Sequence, residues 1–356
     1  MTKALPYKIR KKYVATKAIE FLQIHNIGEL PLSPQDICKK NRWKLRNYSD
    51  YSNRLNVSIS ELCELLGTEE GECILRKQEY TILYNDKLKN PGKHRGRILF
   101  TIFHEIGHIF LNHLLDYPQT TYKRGGLTER QYQVLEDEAN HFASYVLAPP
   151  PLLHLMSWVG QITTISDSCL LSTKAAKIAS EKATNEMKFF FPSTSITKIQ
   201  ILFHDYIHRK HCRVCKGAFI SELEKPHCPY CGSKATYWGR KSNMSKIYKG
   251  IKTDETGKAL VCPICENSEL EDGDFCPICS ISVTNQCTKQ EYDSFGRLDP
   301  DPCELVLKGN YRYCPQCGGK STFLINGLLK TWKGEYYQKP EQVSYAEVLP
   351  DEDIPF

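Results

Sequence analysis

Three things are missing from this chain of 356 residues. No stretch of 18 or more residues is free of charged or polar groups, so no membrane span is expected. The basic start, Met1 to Arg10, runs on into Lys11, Lys12 and Lys17 instead of an apolar core, which argues against a secretory signal. A cytosolic location is therefore expected. Lysine and arginine are absent from residues 259–288, where five acids stand alone. The preceding segment, Arg209 to Lys258, has twelve Lys or Arg against four acids. The whole-chain charge of +6 conceals a basic segment beside an acidic one. The bulk composition, 25% charged and 41% hydrophobic, is that of a soluble globular protein, and the length allows two or more domains.

Cysteine is plentiful instead of scarce. In a reducing compartment, sixteen cysteines do not read as disulfides. Twelve of them fall within residues 212–317, mostly as Cys-x-x-Cys pairs, and such pairs are metal knuckles. Cys212, Cys215, Cys228 and Cys231 form one quartet, and Cys262, Cys265, Cys276 and Cys279 a second. Cys314 and Cys317 need two partners, and Cys287 and Cys303 are the unassigned thiols nearest in sequence. Segments this small bury too little surface to fold unaided, so structural Zn2+ at two or three four-thiolate ribbons is expected. Cys38, Cys63, Cys73 and Cys169 are scattered singly and read as small core residues.

Upstream, periodicity predicts an amphipathic helix over 13–24. Ser33-Pro34 reads as a cap and first-turn proline, and Ser58 to Glu61 as a capping box. Strands are predicted near Cys73–Arg76 and Tyr80–Tyr84, then a loop at Asn90-Pro91-Gly92-Lys93. A long helix should run from Glu129 to Leu147, and Ser172 should cap another from Thr173 to Met187.

The chemistry concentrates in His104-Glu105-Ile106-Gly107-His108, inside the apolar run Ile98 to Leu115. Two imidazoles four residues apart share one helix face, with side chains roughly 5–6 Å apart. That spacing suits one catalytic zinc, with Glu105 as general base toward a water. A third protein ligand is still required. The metzincin positions hold Leu111 and Leu114, which excludes that class. His113 lies nine residues beyond His104, on the opposite side if the helix continues, and reads as a surface or supporting histidine. Glu138 lies on a stripe with Val134, Leu135, Phe142 and Val146. A carboxylate facing the core needs a partner, which makes Glu138 the candidate third ligand. Glu136 and Asp137 fall off the stripe and read as solvated. His141 and Tyr145 are candidate donors to a developing oxyanion. The edge near Tyr80–Tyr84 is a candidate for adding a substrate strand.

The motif at 104–108, with Glu136-Asp137-Glu138-Ala139-Asn140-His141-Phe142-Ala143 and a proline-marked helix end, resembles the ImmA/IrrE family of metallopeptidases. The resemblance covers roughly residues 10–200 and includes Ser172 to Ala176. It implies zinc on His104, His108 and Glu138, with Glu105 as the base. It also implies regulatory proteolysis of a helix-turn-helix transcriptional repressor.

The expected fold is α+β. A mainly helical zincin-like domain with a small β-sheet occupies 1–208. Ribbons follow at 209–245, 258–285 and 286–335, then a tail at 336–356. The ribbons read as an array of small modules instead of one core. They are expected to recognise a protein partner, while the basic first ribbon, with Tyr230, Tyr237 and Trp238, also suits nucleic acid. The competing reading is a zinc-ribbon regulator whose peptidase fold binds without cutting. Glu105 favours catalysis, since a pure binding module has no use for it.

Overall fold

Side chains that satisfy orphan backbone donors start several of the helices. The computed structural model describes residues 5–87, 94–117, 128–156, 162–222, 224–240, 245–270, 272–289, 303–333 and 337–338. The predicted loop at 90–93 lies outside them, as does the tail after Gln342. The chain divides into two units, Met1–Ile207 and His208–Phe356. Among the described residues, no helix is long and apolar enough to cross a membrane.

In the first unit, α1 (Lys11–Ile24) buries Val14, Ala15, Ala18, Ile19, Phe21 and Leu22. Helix α2 (Pro34–Asn41) opens on Ser33, whose Oγ accepts from the Asp36 N–H at 3.3 Å. Then come β1 (Lys44–Asn47), α3 (Tyr48–Leu55) and α4 (Ile59–Leu66). Ser58 and Glu61 cap α4 reciprocally, as predicted. Strands β2 (Gly71–Arg76) and β3 (Glu79–Tyr84) form a hairpin. Its two turn residues, Lys77 and Gln78, both have positive φ, 47° and 68°, as a tight twisted turn requires.

Strand β1 carries no apolar alternation and was not predicted. Parallel pairing with β3 brings it into the sheet, Lys44 opposite Thr81 through Asn47 opposite Tyr84. The order is β1-β3-β2. The strand expected as an edge, Tyr80–Tyr84, is therefore central, and both its sides are already hydrogen-bonded. Strand β2 is the edge nearer the site described below.

The site helices are α5 (His94–Phe110) and α7 (Glu129–Leu147), with α6 (His113–Asp116) between them. Thr128 and Gln131 cap α7 reciprocally. Gly107 lets α5 and α7 approach closely: a Cβ there would lie 3.2 Å from the Phe142 ring and 3.3 Å from Ala139. Phe21 of α1 meets Phe103, Phe110 and Phe142 edge-on, at 6.3, 5.2 and 5.4 Å between centroids. Phe21, Phe103 and Phe142 are fully buried, and each such ring stabilises by about 1.5–3 kcal/mol, so the three helices are fastened from behind the site. Helices α8 (Pro150–Leu155), α9 (Ile162–Cys169), α10 (Thr173–Asn185), α11 (Met187–Phe190), α12 (Ser193–Leu202) and α13 (His204–Ile207) complete the unit. Ser172 caps α10 as expected. Of the scattered cysteines, Cys38, Cys73 and Cys169 are buried and Cys63 is half-buried.

The second unit has little regular structure: β4 (Arg209–Cys212), β5 (Ala218–Ile220), β6 (Thr236–Trp238), β7 (Lys246–Ile247), α14 (Thr322–Ile325) and β8 (Tyr337–Gln338). Its cysteine modules are not separate beads. Cys212, Cys215, Cys228, Phe219, Tyr230 and Tyr248 of the first share a buried cluster with Cys287, Leu307, Tyr311 and Cys314 of the third. Tyr230 stacks on Tyr248 at 4.6 Å. The backbone N–H groups of Arg312 and Tyr313 both donate to the Pro229 carbonyl, at 2.8 and 2.9 Å. The second module packs Ala259, Cys262, Cys276 and Val283 against Phe323 and Leu329. Fully buried Arg312 donates to the carbonyls of Lys330, Lys249 and Asn310 at 2.6, 3.2 and 3.0 Å. The expected array of independent cores is thus replaced by interlocked ones, because each module alone is too small to close its own.

Candidate metal and active site

The helical period of α5 places His104 and His108 on one face, with their Nε2 atoms 3.1 Å apart. Two nitrogens this close cannot both carry protons. The third group is Glu136 of α7: Oε2 lies 3.1 Å from His104 Nε2, and Oε1 lies 3.4 Å from His108 Nε2. Donors bound to one zinc at 2.0–2.1 Å in a tetrahedron lie about 3.3 Å apart. The three groups fit that edge length. All three are only partly buried, with side chains 14%, 13% and 23% exposed, so solvent reaches a fourth position.

Glu138, the expected third ligand, is elsewhere. Its side chain is fully buried, and the Arg10 guanidinium clasps it, Nε to Oε1 at 2.8 Å and Nη2 to Oε2 at 2.7 Å. The Arg10 backbone N–H donates to Oε1 at 2.9 Å. The apolar stripe of α7 faces the core, and Glu136, two positions earlier, looks into the cleft. Depth of burial was the wrong criterion, because a catalytic ion needs an open coordination place. Asp137 is half-buried and accepts from Gln133 Nε2 at 3.0 Å.

His113 also departs from expectation. Helix α5 ends at Phe110, and Asn112 at φ 60° reverses the chain, so the imidazole swings back toward the site. His113 Nε2 lies 3.3 Å from Glu138 Oε2, and its Nδ1 lies 3.1 Å from His108 Nδ1. The carboxylate can only accept, so His113 Nε2–H donates. Burial holds the His113 imidazole pKa down, so the ring is neutral and its Nδ1 accepts from His108 Nδ1–H. That leaves His108 Nε2 with its lone pair toward the site. On the other ligand, His104 Nδ1–H donates to Asn140 Oδ1 at 2.9 Å, aiming its Nε2 inward in the same way. Such outer partners set tautomer and orientation in metal sites.

Burial, reinforced by the charge of His104, holds His108 well below the usual imidazole range and keeps it neutral. Burial opposes the charge of His104, but the hydrogen bond it donates to Glu136 outweighs this and lifts the imidazole to about 9. Burial likewise opposes ionisation of Glu136, and the hydrogen bond with His104 overrides it, to about 2. The site is thus built around a cation, with proton and metal competing for one lone pair.

Glu105 lines the same cleft, of about 300 Å³, with Gly71, Glu72, Cys73, Tyr132 and Asn140. Burial raises its carboxyl to about 8, with the charge of His104 opposing and the charges of Glu72 and Glu136 adding. Burial and then Glu136 raise Glu72 to about 7. His141, a candidate catalytic residue by sequence, does not line this cleft. Its Nδ1–H donates to the Asp137 carbonyl at 2.8 Å, and its ring lines a neighbouring apolar groove with Ile178 and Lys182. Tyr145 is buried and donates to Glu186 at 2.8 Å. Neither is placed to meet an oxyanion. Sequence reasoning passed over Glu136, Asn140, Arg10, Glu72 and Tyr132. The signal available was the four-residue spacing of Glu136 and Asn140, which puts ligand and orienting amide on one face.

Residues 72–161 match the model of the Peptidase_M78 family, the IrrE N-terminal-like domain. The match spans β2, β3, α5 and α7, and so takes in His104, Glu105, His108 and Glu136. It supports a zinc metallopeptidase of the ImmA/IrrE type for this M78-like segment. No curated protein matches the chain.

The cysteines assemble as three quartets: Cys212, Cys215, Cys228 and Cys231; Cys262, Cys265, Cys276 and Cys279; Cys287, Cys303, Cys314 and Cys317. Within each, Sγ atoms pair at 3.3–3.8 Å, and tetrahedral zinc–thiolate bonds of 2.3 Å place sulfurs about 3.8 Å apart. In five knuckles the residue after the second cysteine has φ between 55° and 76°: Lys216, Gly232, Glu266, Ser280 and Gly318. This turn points both thiols at one centre. The donor sets fit structural zinc, with four thiolates and no place left for water.

Proposed function

We propose that the chain is a cytosolic zinc endopeptidase that cleaves a regulatory protein, a DNA-binding repressor, with its cysteine modules recognising partners. The observation that carries the enzyme reading is Glu105: a raised carboxyl in the cleft formed by His104, His108 and Glu136. Those three side chains would hold a divalent ion, which would polarise the substrate carbonyl and acidify a water. Glu105 takes the proton of the attacking water and passes it to the leaving amine nitrogen. An extended substrate lies along the outer edge of β2, where Gly71, Glu72 and Cys73 line the cleft. The Tyr132 hydroxyl donates to Glu136 and so helps hold that carboxylate at the site. The repressor as substrate rests on the ImmA/IrrE resemblance.

The decisive experiment is Glu105→Gln assayed against a casein or peptide-library substrate. The variant should keep its zinc content and lose about 10²–10⁴-fold in rate. Undiminished hydrolysis by that variant defeats the reading.

A further inference from the structure

The second cysteine module has apolar side chains that its own core does not use. Its interior is filled by Ala259, Cys262, Cys276, Val283, Phe323 and Leu329. Leu260, Val261, Ile264, Phe275 and Ile278 remain exposed, the last three at 59%, 64% and 70%. Val261 and Phe275 immediately precede the first cysteines of the two knuckles, and Ile264 and Ile278 precede the second ones. Because the four Sγ atoms lie within 4.8 Å of one another, these side chains surround a single small site. In the first module only one of the two equivalent knuckle positions is apolar and exposed, Val214 at 50%, since Tyr230 is buried in the shared core; between Cys314 and Cys317 the position holds the polar Gln316.

Charge narrows the occupant. Glu266, Glu269, Asp272 and Asp274 are exposed around the same site, and residues 259–288 contain no Lys or Arg. Such a rim repels phosphate, which disfavours nucleic acid. It equally repels the same face of a second copy.

We propose that the second module is the docking surface for a basic amphipathic segment of another protein, with large aliphatic residues on one face and Lys or Arg around them. The apolar knuckle residues take the aliphatic face, and the acidic rim takes the cations and excludes acidic competitors. This rests on reading the cysteine modules as recognition elements, not on catalysis, and binding is measured apart from cleavage.

The test uses the zinc-loaded full chain and a fluorescent 18-residue helical peptide of Leu and Lys, followed by anisotropy. A Glu-for-Lys peptide and a Ser-for-Leu peptide serve as comparisons. The Leu/Lys peptide should bind, both comparison peptides should bind at least tenfold more weakly, and the triple variant Ile264→Ser, Phe275→Ser, Ile278→Ser should lose tenfold or more at unchanged zinc content. If that variant misfolds, Asp272→Lys with Asp274→Lys tests the rim by the same loss. Equal binding by wild type and variants places the peptide elsewhere and overturns the proposal. So does equal binding of the Ser/Lys peptide, no binding of the Leu/Lys peptide, or self-association that the triple variant abolishes. Loss of activity in Glu105→Gln leaves all these outcomes unchanged, so the two readings stand or fall separately.

Discussion

Arg10 and Glu138 form a closed pair: two guanidinium nitrogens and the backbone N–H of one arginine all donate to one fully buried carboxylate. The pair anchors His113, which in turn fixes the tautomer of His108. A residue just before α1 therefore helps orient a ligand on α5.

Glu136 and Glu138 separate cleanly in a substitution pair. Glu136→Gln removes a charged donor, so the protein should lose one zinc per chain and all measurable hydrolysis. Glu138→Gln should retain that zinc but leave Arg10 without its anion, at a cost on the order of 2 kcal/mol; this is below the range for fully buried pairs because Arg10 is partly exposed. For a unit of this size that is a fall of about 4–8 °C in Tm. Metal analysis and calorimetry read both variants. Loss of zinc from Glu138→Gln with retention in Glu136→Gln would reverse the assignment.

The pH dependence of cleavage should respond to Glu72. Burial raises Glu105 to about 8, and the negative charges of Glu72 and Glu136 contribute. Removing one like charge lets the carboxyl ionise at lower pH. Glu72→Gln should therefore move the acid limb of kcat/KM down by about half a pH unit, while a bound cation lowers the starting point of both enzymes alike. An unmoved limb would mean that Glu72 does not face the group that titrates.

The third quartet lacks a second knuckle, yet its four Sγ atoms converge. With four groups able to hold an ion among the described residues, wild type should carry close to four zinc per chain. Cys303→Ser should lower that by one. The first and third modules share a core, so this variant should also expose 209–240 to limited proteolysis. Cys276→Ser should lose one zinc and leave 209–240 protected. Identical digestion patterns for the two variants would refute the interlocking.

Some features were legible because they depend on neighbours within one turn. The caps at Ser33, Ser58 and Ser172, the helix from Glu129 to Leu147, and the imidazole pair follow from helical period and backbone donors alone. The knuckles follow from two thiols and a tight turn. Strand β1 was not legible, because Lys44-Leu45-Arg46-Asn47 has no pattern of its own and is a strand only beside β3.

Residue order alone determined that two imidazoles and a base share a helix and that twelve thiols cluster with metal-ligand spacing. Tertiary packing decided which glutamate meets the imidazoles, where His113 returns to, and which strand lies at the cleft. The reason is rotational. Each residue turns a helix by 100°, so a shift of two positions carries a carboxylate from core to cleft. The rotation of α7 against α5 is fixed by Gly107, Phe142 and the α1 ring cluster, and not by any spacing within α7.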